Sequence, residues 1–387
     1  MRTFYEFFAG GGMARLGLGP DWTCLLANDV CEKKGRAYRA NFGGEELIVG
    51  DIRGLALADL PGRADLVWGS FPCQDLSLAG GGAGLVGARS GTFHALWDLI
   101  GGLAGEGRAP AVVVLENVCG ALTSHGGADF AAIAQAFASG GYRLGPLIVD
   151  AAWFTPQSRP RLFLVGVRSD LAIDPALVLA APNSLCHPLA LTRAVGRTGR
   201  RPLWWRLPAP PARNLAFADI LDDAGWASAA ETARLMALMS DANRAKVTAA
   251  QAGSLNGAGR RVGAVFRRTR RDATGSRLQR AEVRFDDVAG CLRTPAGGSS
   301  RQTVMMVEAG EVRTRLLSSR ETARLMGLPE DYVLPARRTD AYHLTGDGVS
   351  VDAVRWLAEH LLAPLLDAAV GSAAPDESRV TKTAIGA

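Results

Sequence analysis

No stretch of this 387-residue chain approaches the ~20 consecutive apolar residues that cross a bilayer, and its opening, Met1-Arg2-Thr3-Phe4-Tyr5-Glu6, lacks the cationic-then-apolar order of an export signal. Those absences point to a cytoplasmic protein without membrane contact. The six cysteines, Cys24, Cys31, Cys73, Cys119, Cys186 and Cys291, contain no Cys-x-x-Cys pair, which argues against a disulfide framework and against structural zinc. Histidines 94, 125, 187, 343 and 360 show no ligand spacing, so no metal is expected. There is no internal repeat, and a composition of 48% hydrophobic and 21% charged residues excludes disorder and fibre, leaving a globular chain of one or two domains.

What is present is a modest positive excess, +5 with a pI near 9.0, which suits a polyanionic partner. Its placement says more than its size. Nine arginines between Arg260 and Arg284, among them Arg267, Arg268, Arg270 and Arg271, face only Asp272 and Glu282, a local net of +7. Planar guanidinium forks suit phosphates and guanine edges, so the cluster reads as a nucleic-acid contact, with a solvated loop as the alternative. Trp204-Trp205 beside Arg206 could stack on bases, but buried packing is the better reading.

The first ~170 residues alternate short apolar runs with amphipathic segments, the pattern of βαβ units. Strands are expected at 3–8, 22–27, 46–49, 64–69, 111–115 and 161–167, with helices between them at 31–41, 92–103 and 129–139. The fold class is α/β, an open, doubly wound, mostly parallel sheet with a smaller, irregular second domain. The pattern dissolves after Arg168 into Pro-, Gly- and Arg-rich sequence, then resumes at Ser318, which with Glu321 forms a capping box. The expected division is 1–169 for catalysis and cofactor, 170–335 for recognition, 336–370 for a segment returning to the first domain, and 371–387 for a disordered tail.

Chemistry concentrates at strand ends. Phe8-Ala9-Gly10-Gly11-Gly12 joins an apolar strand to a helical segment, where glycines let backbone approach a ligand. Asp29 stands where a carboxylate can accept from ribose hydroxyls, and Asp51 within reach of an adenine. Phe71-Pro72-Cys73-Gln74 places a thiol beyond a central strand, before the glycine-rich 80–84. Such a thiol becomes a nucleophile only beside positive charge or a helix start. The apolar run 112–115 ends in Glu116, a carboxylate that strand propensity would not select, facing the same crevice. Gln157-Ser158-Arg159-Pro160-Arg161 opens the next strand with two alternate arginines, able to stabilise a thiolate, hold the carboxylate or grip a phosphate.

In order from Phe4 to about Leu362, these residues resemble the cytosine-C5 DNA methyltransferases of bacterial restriction-modification systems. Seven motifs carry the likeness: Phe8-Ala9-Gly10-Gly11-Gly12, Pro72-Cys73-Gln74, Arg89-Ser90-Gly91-Thr92-Phe93, Glu116-Asn117-Val118, 157–161, Arg315-Leu316-Leu317-Ser318-Ser319-Arg320-Glu321 and Gly346-Asp347-Gly348-Val349. The resemblance implies a class I, Rossmann-like methyltransferase using S-adenosyl-L-methionine, with Phe8, Gly10, Gly12, Asp29, Asp51, Pro72, Asp347 and Val349 toward the cofactor. It implies that Cys73 adds to C6 of a flipped cytosine, that Glu116 and Arg161 hold the ring, and that Arg159 orients Glu116 or binds phosphate. Gln74, Arg89, Gln157 and the arginine cluster would contact double-stranded DNA. It further implies a monomer that works alongside a restriction endonuclease without a stable complex. The chain departs from the family in reading Gly346-Asp347-Gly348-Val349 where Gly-Asn-Ser-Val is common, and Cys291-Leu292 where Thr-Leu is common. A catalytically silent DNA-binding relative and an RNA cytosine methyltransferase are the competing readings. A nicotinamide oxidoreductase would account for the glycine turn alone.

Overall fold

The computed structural model describes residues 1–72, 92–257, 259–271, 275–295 and 301–371, and the statements below concern those residues. Cys73, Gln74 and Arg89, and the tail from 372, lie outside them.

Each apolar run of the first part forms a strand within three residues of the expected bounds. In chain order these are β1 (Arg2–Phe7), α1 (Met13–Leu18), β2 (Trp22–Asp29), α2 (Glu32–Phe42), β3 (Leu47–Val49), β4 (Leu66–Gly69), α3 (Thr92–Gly105), β5 (Val112–Val118), α4 (Ala128–Ser139), β6 (Tyr142–Asp150) and β7 (Pro160–Arg168). They build one seven-stranded sheet of order β3-β2-β1-β4-β5-β7-β6. The first four pairings are parallel, and β7 runs antiparallel to both β5 and β6. Strand β6 was not anticipated, because Gly145 and Pro146 interrupt it. An edge position tolerates the missing proline donor. At Gly145 a Cβ would stand 2.2 Å from the Trp205 indole nitrogen, which donates to the Gly145 carbonyl at 2.8 Å. Trp205 is thus buried packing, and Trp204 half-buried.

Alternate residues of the central strands feed two apolar layers, as strands covered on both faces require. Phe4, Leu66, Trp68, Val112 and Val114 enter one layer with Val351, Val354 and Leu361 near the carboxyl end of the chain, while Tyr5, Phe7, Val67, Val113 and Leu115 enter the other with Phe93, Leu96, Phe130 and Ile133.

Order persists where irregular sequence was expected. The strands β8 (Val178–Leu179) and β9 (Trp204–Trp205) pair around α5 (Leu189–Arg197). Next come α6 (Ala229–Ala237), α7 (Asp241–Leu255) and β10 (Arg261–Arg271), β11 (Arg277–Arg284), β12 (Thr303–Glu308), β13 (Glu311–Leu316), an antiparallel sheet of order β11-β10-β12-β13. Within the otherwise irregular second part this sheet is regular, its apolar core made of Met239, Val247, Val265, Val283, Met305 and Val307. Capped by the Ser318–Glu321 box, α8 (Ser319–Leu325) leads to α9 (Arg338–Asp347), α10 (Val351–Leu357) and α11 (Ala363–Gly371). Helix α10 lies so close on α1 that a Cβ at Gly17 would stand 2.4 Å from Val354 Cβ.

Candidate active site

The chain moves outward from β1 to β3, then returns to β4 on the other side of β1, so the carboxyl ends of β1 and β4 flank the point where strand order reverses. Open α/β sheets leave a ligand crevice there. The glycine turn follows β1, and Ser70-Phe71-Pro72 follows β4. By contrast, a cavity of about 830 Å³ lined by Arg2, Asp21, Asp65 and Arg168 opens at the opposite, amino end of these strands.

In the glycine turn, Phe8, Gly10 and Gly12 all adopt positive φ (59°, 59° and 76°). At Gly11 a Cβ would stand 2.5 Å from Tyr332 Oη, and at Gly12 2.4 Å from the Phe42 ring, so close packing demands glycine at both. Tyr332 also donates to the Gly11 carbonyl at 2.6 Å. Asp29 is buried, and its two oxygens accept from the Gly10 and Cys31 amides at 2.8 and 2.7 Å, which fixes the turn against β2. Asp51 instead commits its carboxylate to Arg53, which holds it down at about 2.

On the other side of the crevice, Glu116 lies in the last third of β5, two residues before its end, with 6% exposure. Arg161 Nε lies 3.1 Å from Glu116 Oε1. Burial pushes the Glu116 carboxyl above its ordinary range, against the opposing pull of Arg161, Arg159 and a Ser70 hydrogen bond. Asn117 donates to the Phe71 carbonyl at 3.2 Å, tethering the turn that leads into Pro72. Ser70 and this tether link β4 and β5 around the position that Cys73 follows.

Two of the expected site residues are turned inward. Gln157 is wholly buried, its amide donating to the Leu325 carbonyl at 2.7 Å and accepting from the Leu292 amide at 2.9 Å, so it joins segments of the protein. Arg159, 2% exposed, donates to Leu292, Gly346 and Gly348 carbonyls at 2.9, 2.9 and 2.6 Å and makes no hydrogen bond to Glu116. It thereby holds the 346–348 segment against the start of β7. In the same final motif, a Cβ at Gly348 would stand 2.2 Å from Met13 Sδ, so a larger residue there would require the Met13 side chain to shift. Asp347 reaches outward to Lys34 at 2.6 Å, and Val349 is buried in the core.

One group escaped the sequence reading. Cys291 Sγ lies 3.3 Å from Arg159 Nη1 and 3.6 Å from Arg161 Nη2, bridging the two arginines. Burial alone would raise this thiol, but Arg159 and Arg161 override it and hold it below the usual thiol range. Burial pushes Cys24 and Cys186 up to about 12 and Cys119 to about 11, which suits inert packing. The only available signal was the unusual Cys-Leu in place of Thr-Leu.

Comparison with known proteins bears on the family and the fold. The family model described as C-5 cytosine-specific DNA methylase matches residues 2–363. The type II methyltransferase M.BsuFI of Bacillus subtilis is 25% identical over 372 residues, spanning 94% of this chain and 73% of its own. M.HpaII of Haemophilus parainfluenzae is 24% identical, spanning 94% and 90%. The crystal structure of S. pombe Dnmt2 methyltransferase superposes with a TM-score of 0.57 at 16% identity, covering 94% of this chain and 99% of that one, a likeness of fold.

Proposed function

Since the chain belongs to the C-5 cytosine-specific DNA methylase family and is a DNA cytosine-5 methyltransferase, we propose that it methylates C5 of a cytosine flipped from a specific duplex sequence, as the modification enzyme of a type II restriction-modification system. The observation that carries this reading is the buried Glu116–Arg161 pair beside the tethered Phe71-Pro72 turn, at the reversal of strand order.

The cradle fits S-adenosyl-L-methionine. A Cβ at Gly10 would meet nothing nearer than Lys34 Cδ at 3.9 Å, so the turn is open toward the crevice, and Asp29, Lys34 and Asp347 border it with acceptors and one ammonium. When bound, the cofactor supplies an electrophilic methyl group on a sulfonium. Cys73 as thiolate forms the bond to C6 of cytosine, and the C5–C6 π electrons become available at C5. Glu116, whose protonated form burial favours, donates to ring N3 and accepts from the exocyclic amine, while Arg161 donates to O2, so charge gathering on the ring is met by fixed groups. Loss of the C5 proton after methyl transfer restores the double bond and expels the Cys73 thiolate. Duplex DNA must surrender the base for this geometry.

Protein incubated with labelled cofactor and mixed-sequence DNA is expected to yield 5-methylcytosine, and DNA carrying 5-fluorocytosine to trap a denaturation-resistant adduct that Cys73→Ser does not form. Binding of DNA with neither product, in any sequence context, would leave a silent relative. Transfer of RNA methyl label that outcompetes DNA would reassign the substrate.

A further inference from the structure

Of the 43 basic residues in this chain only Lys33, Lys34, Lys246 and Lys382 are lysines. Two of the four are adjacent, on the first turn of α2 beside the glycine turn. Each meets an acid of α9: Lys33 reaches Asp340 at 3.0 Å and Lys34 reaches Asp347 at 2.6 Å. The acids are seven residues apart, two helical turns, so they share one face of α9. The two pairs differ in setting. Lys33 is 53% exposed, an ordinary surface pair of small worth. Lys34 is 18% exposed, with its stem against Gly10. Burial would weaken its charge, but Asp347 and Asp29 outweigh that and keep it protonated.

Asp347 stands where the resembling family carries asparagine. A carboxylate at the rim of a cofactor crevice needs a cation, and Lys34 provides it. An ammonium is a compact point charge with three donors, so Lys34 can face a second carboxylate besides that of Asp347. We propose that Lys34 and Asp347 form a clamp for the amino-acid end of the cofactor, Lys34 taking the α-carboxylate and Asp347 the α-ammonium. In the free protein each neutralises the other. With the ligand in place each exchanges part of that interaction for the matching group of the zwitterion, so no charge near Gly10 is left uncompensated. The proposal rests on the cofactor reading above and adds to it the recognition of both charged groups at one carbon.

The test is equilibrium binding to the full chain by calorimetry, with two probes. S-adenosylhomocysteine keeps the zwitterionic end, and 5′-methylthioadenosine lacks it. Lys34→Gln and Asp347→Asn are each expected to weaken S-adenosylhomocysteine about 10- to 100-fold, the range for hydrogen bonds to charged groups, and to leave methylthioadenosine within about twofold. Lys33→Gln, on the same two helices, changes neither. Thermal melts run alongside verify that every variant is folded. Equal weakening of both probes, or no change in either, would overturn the clamp while leaving the cofactor reading intact. A wild-type protein that binds neither probe would overturn both.

Discussion

Glu116 and Glu6 are both acids buried in β-strands, and burial raises both, yet they serve different ends. Glu116 has cations beside it and faces the crevice. Its protonated form, the one that would donate to the base in the proposed reaction, persists to higher pH than in an ordinary glutamate and is lost as pH rises through the raised value. With Glu116 as donor, the methyl-transfer rate should carry a limb that falls as pH rises through that raised value. Glu116→Gln is expected to slow the step about 10²- to 10⁴-fold and to remove that limb, read from single-turnover rates across pH. A limb that survives in the glutamine variant would exclude Glu116 as its source. Glu6, 1% exposed in β1, lies behind the glycine turn with one oxygen lacking a hydrogen-bond partner. Burial raises it to about 8 from an ordinary 4.5. Unfolded chains release this proton near 4.5 and the folded protein holds it to about 8, so Glu6 makes stability fall as pH climbs between those values. Glu6→Gln should remove the penalty and gain a few kcal/mol over wild type at pH 8.5, with little difference at pH 4, measured by denaturant midpoints. A constant difference at both values would contradict the assignment.

At the scale of elements, the segment 156–161 ties the first sheet to the second part. Ser158 donates to the Ala289 carbonyl at 2.9 Å, Ala289 donates back to Pro156 at 2.8 Å, and Gln157, Arg159 and Arg161 take up Leu292 and Cys291. This joint was illegible in sequence. A polar Gln-Ser-Arg-Pro-Arg run at a strand start reads as a surface for substrate, and only the approach of residues more than 130 positions away turns Gln157 and Arg159 inward. The same nonlocality hid β6, whose Gly145 and Pro146 make sense only at a sheet edge with Trp205 against it. By contrast β1, β2, β4 and β5 were legible because their own apolar runs decide them. Gln157→Ala would leave the Leu292 amide unpaired in a dry site, whereas the Leu325 carbonyl keeps its bond from Thr155 at 2.9 Å. One orphaned donor should cost about 1–3 kcal/mol in unfolding free energy. A loss of DNA affinity without loss of stability would instead return Gln157 to the interface.

For the whole molecule the question is where the positive excess meets DNA. Strand β12 pairs β10 only over Arg261–Val265, while β10 and β11 remain paired out to Arg271 and Arg277. Beyond Phe266 the hairpin is a two-stranded arm among the described residues, with Arg267, Arg268, Arg270 and Arg271 all exposed. A two-stranded ribbon is of a size to enter the major groove. The sequence located this charge but not the arm, and bases read by it depend on which side chains each strand face presents. Arg268 and Arg270 share Glu282, at 3.5 and 2.5 Å, so that carboxylate competes with phosphate for their guanidinium groups. Each phosphate contact contributes about 0.9 to the slope of log affinity against log salt. Replacing all four arginines by glutamine should lower that slope by at most about 3.6, and by less if the Glu282 pairs persist on DNA. Glu282→Gln, by releasing two guanidinium groups, should raise affinity for nonspecific duplex at low salt. An unchanged slope in the fourfold variant would place the DNA on another face of the protein.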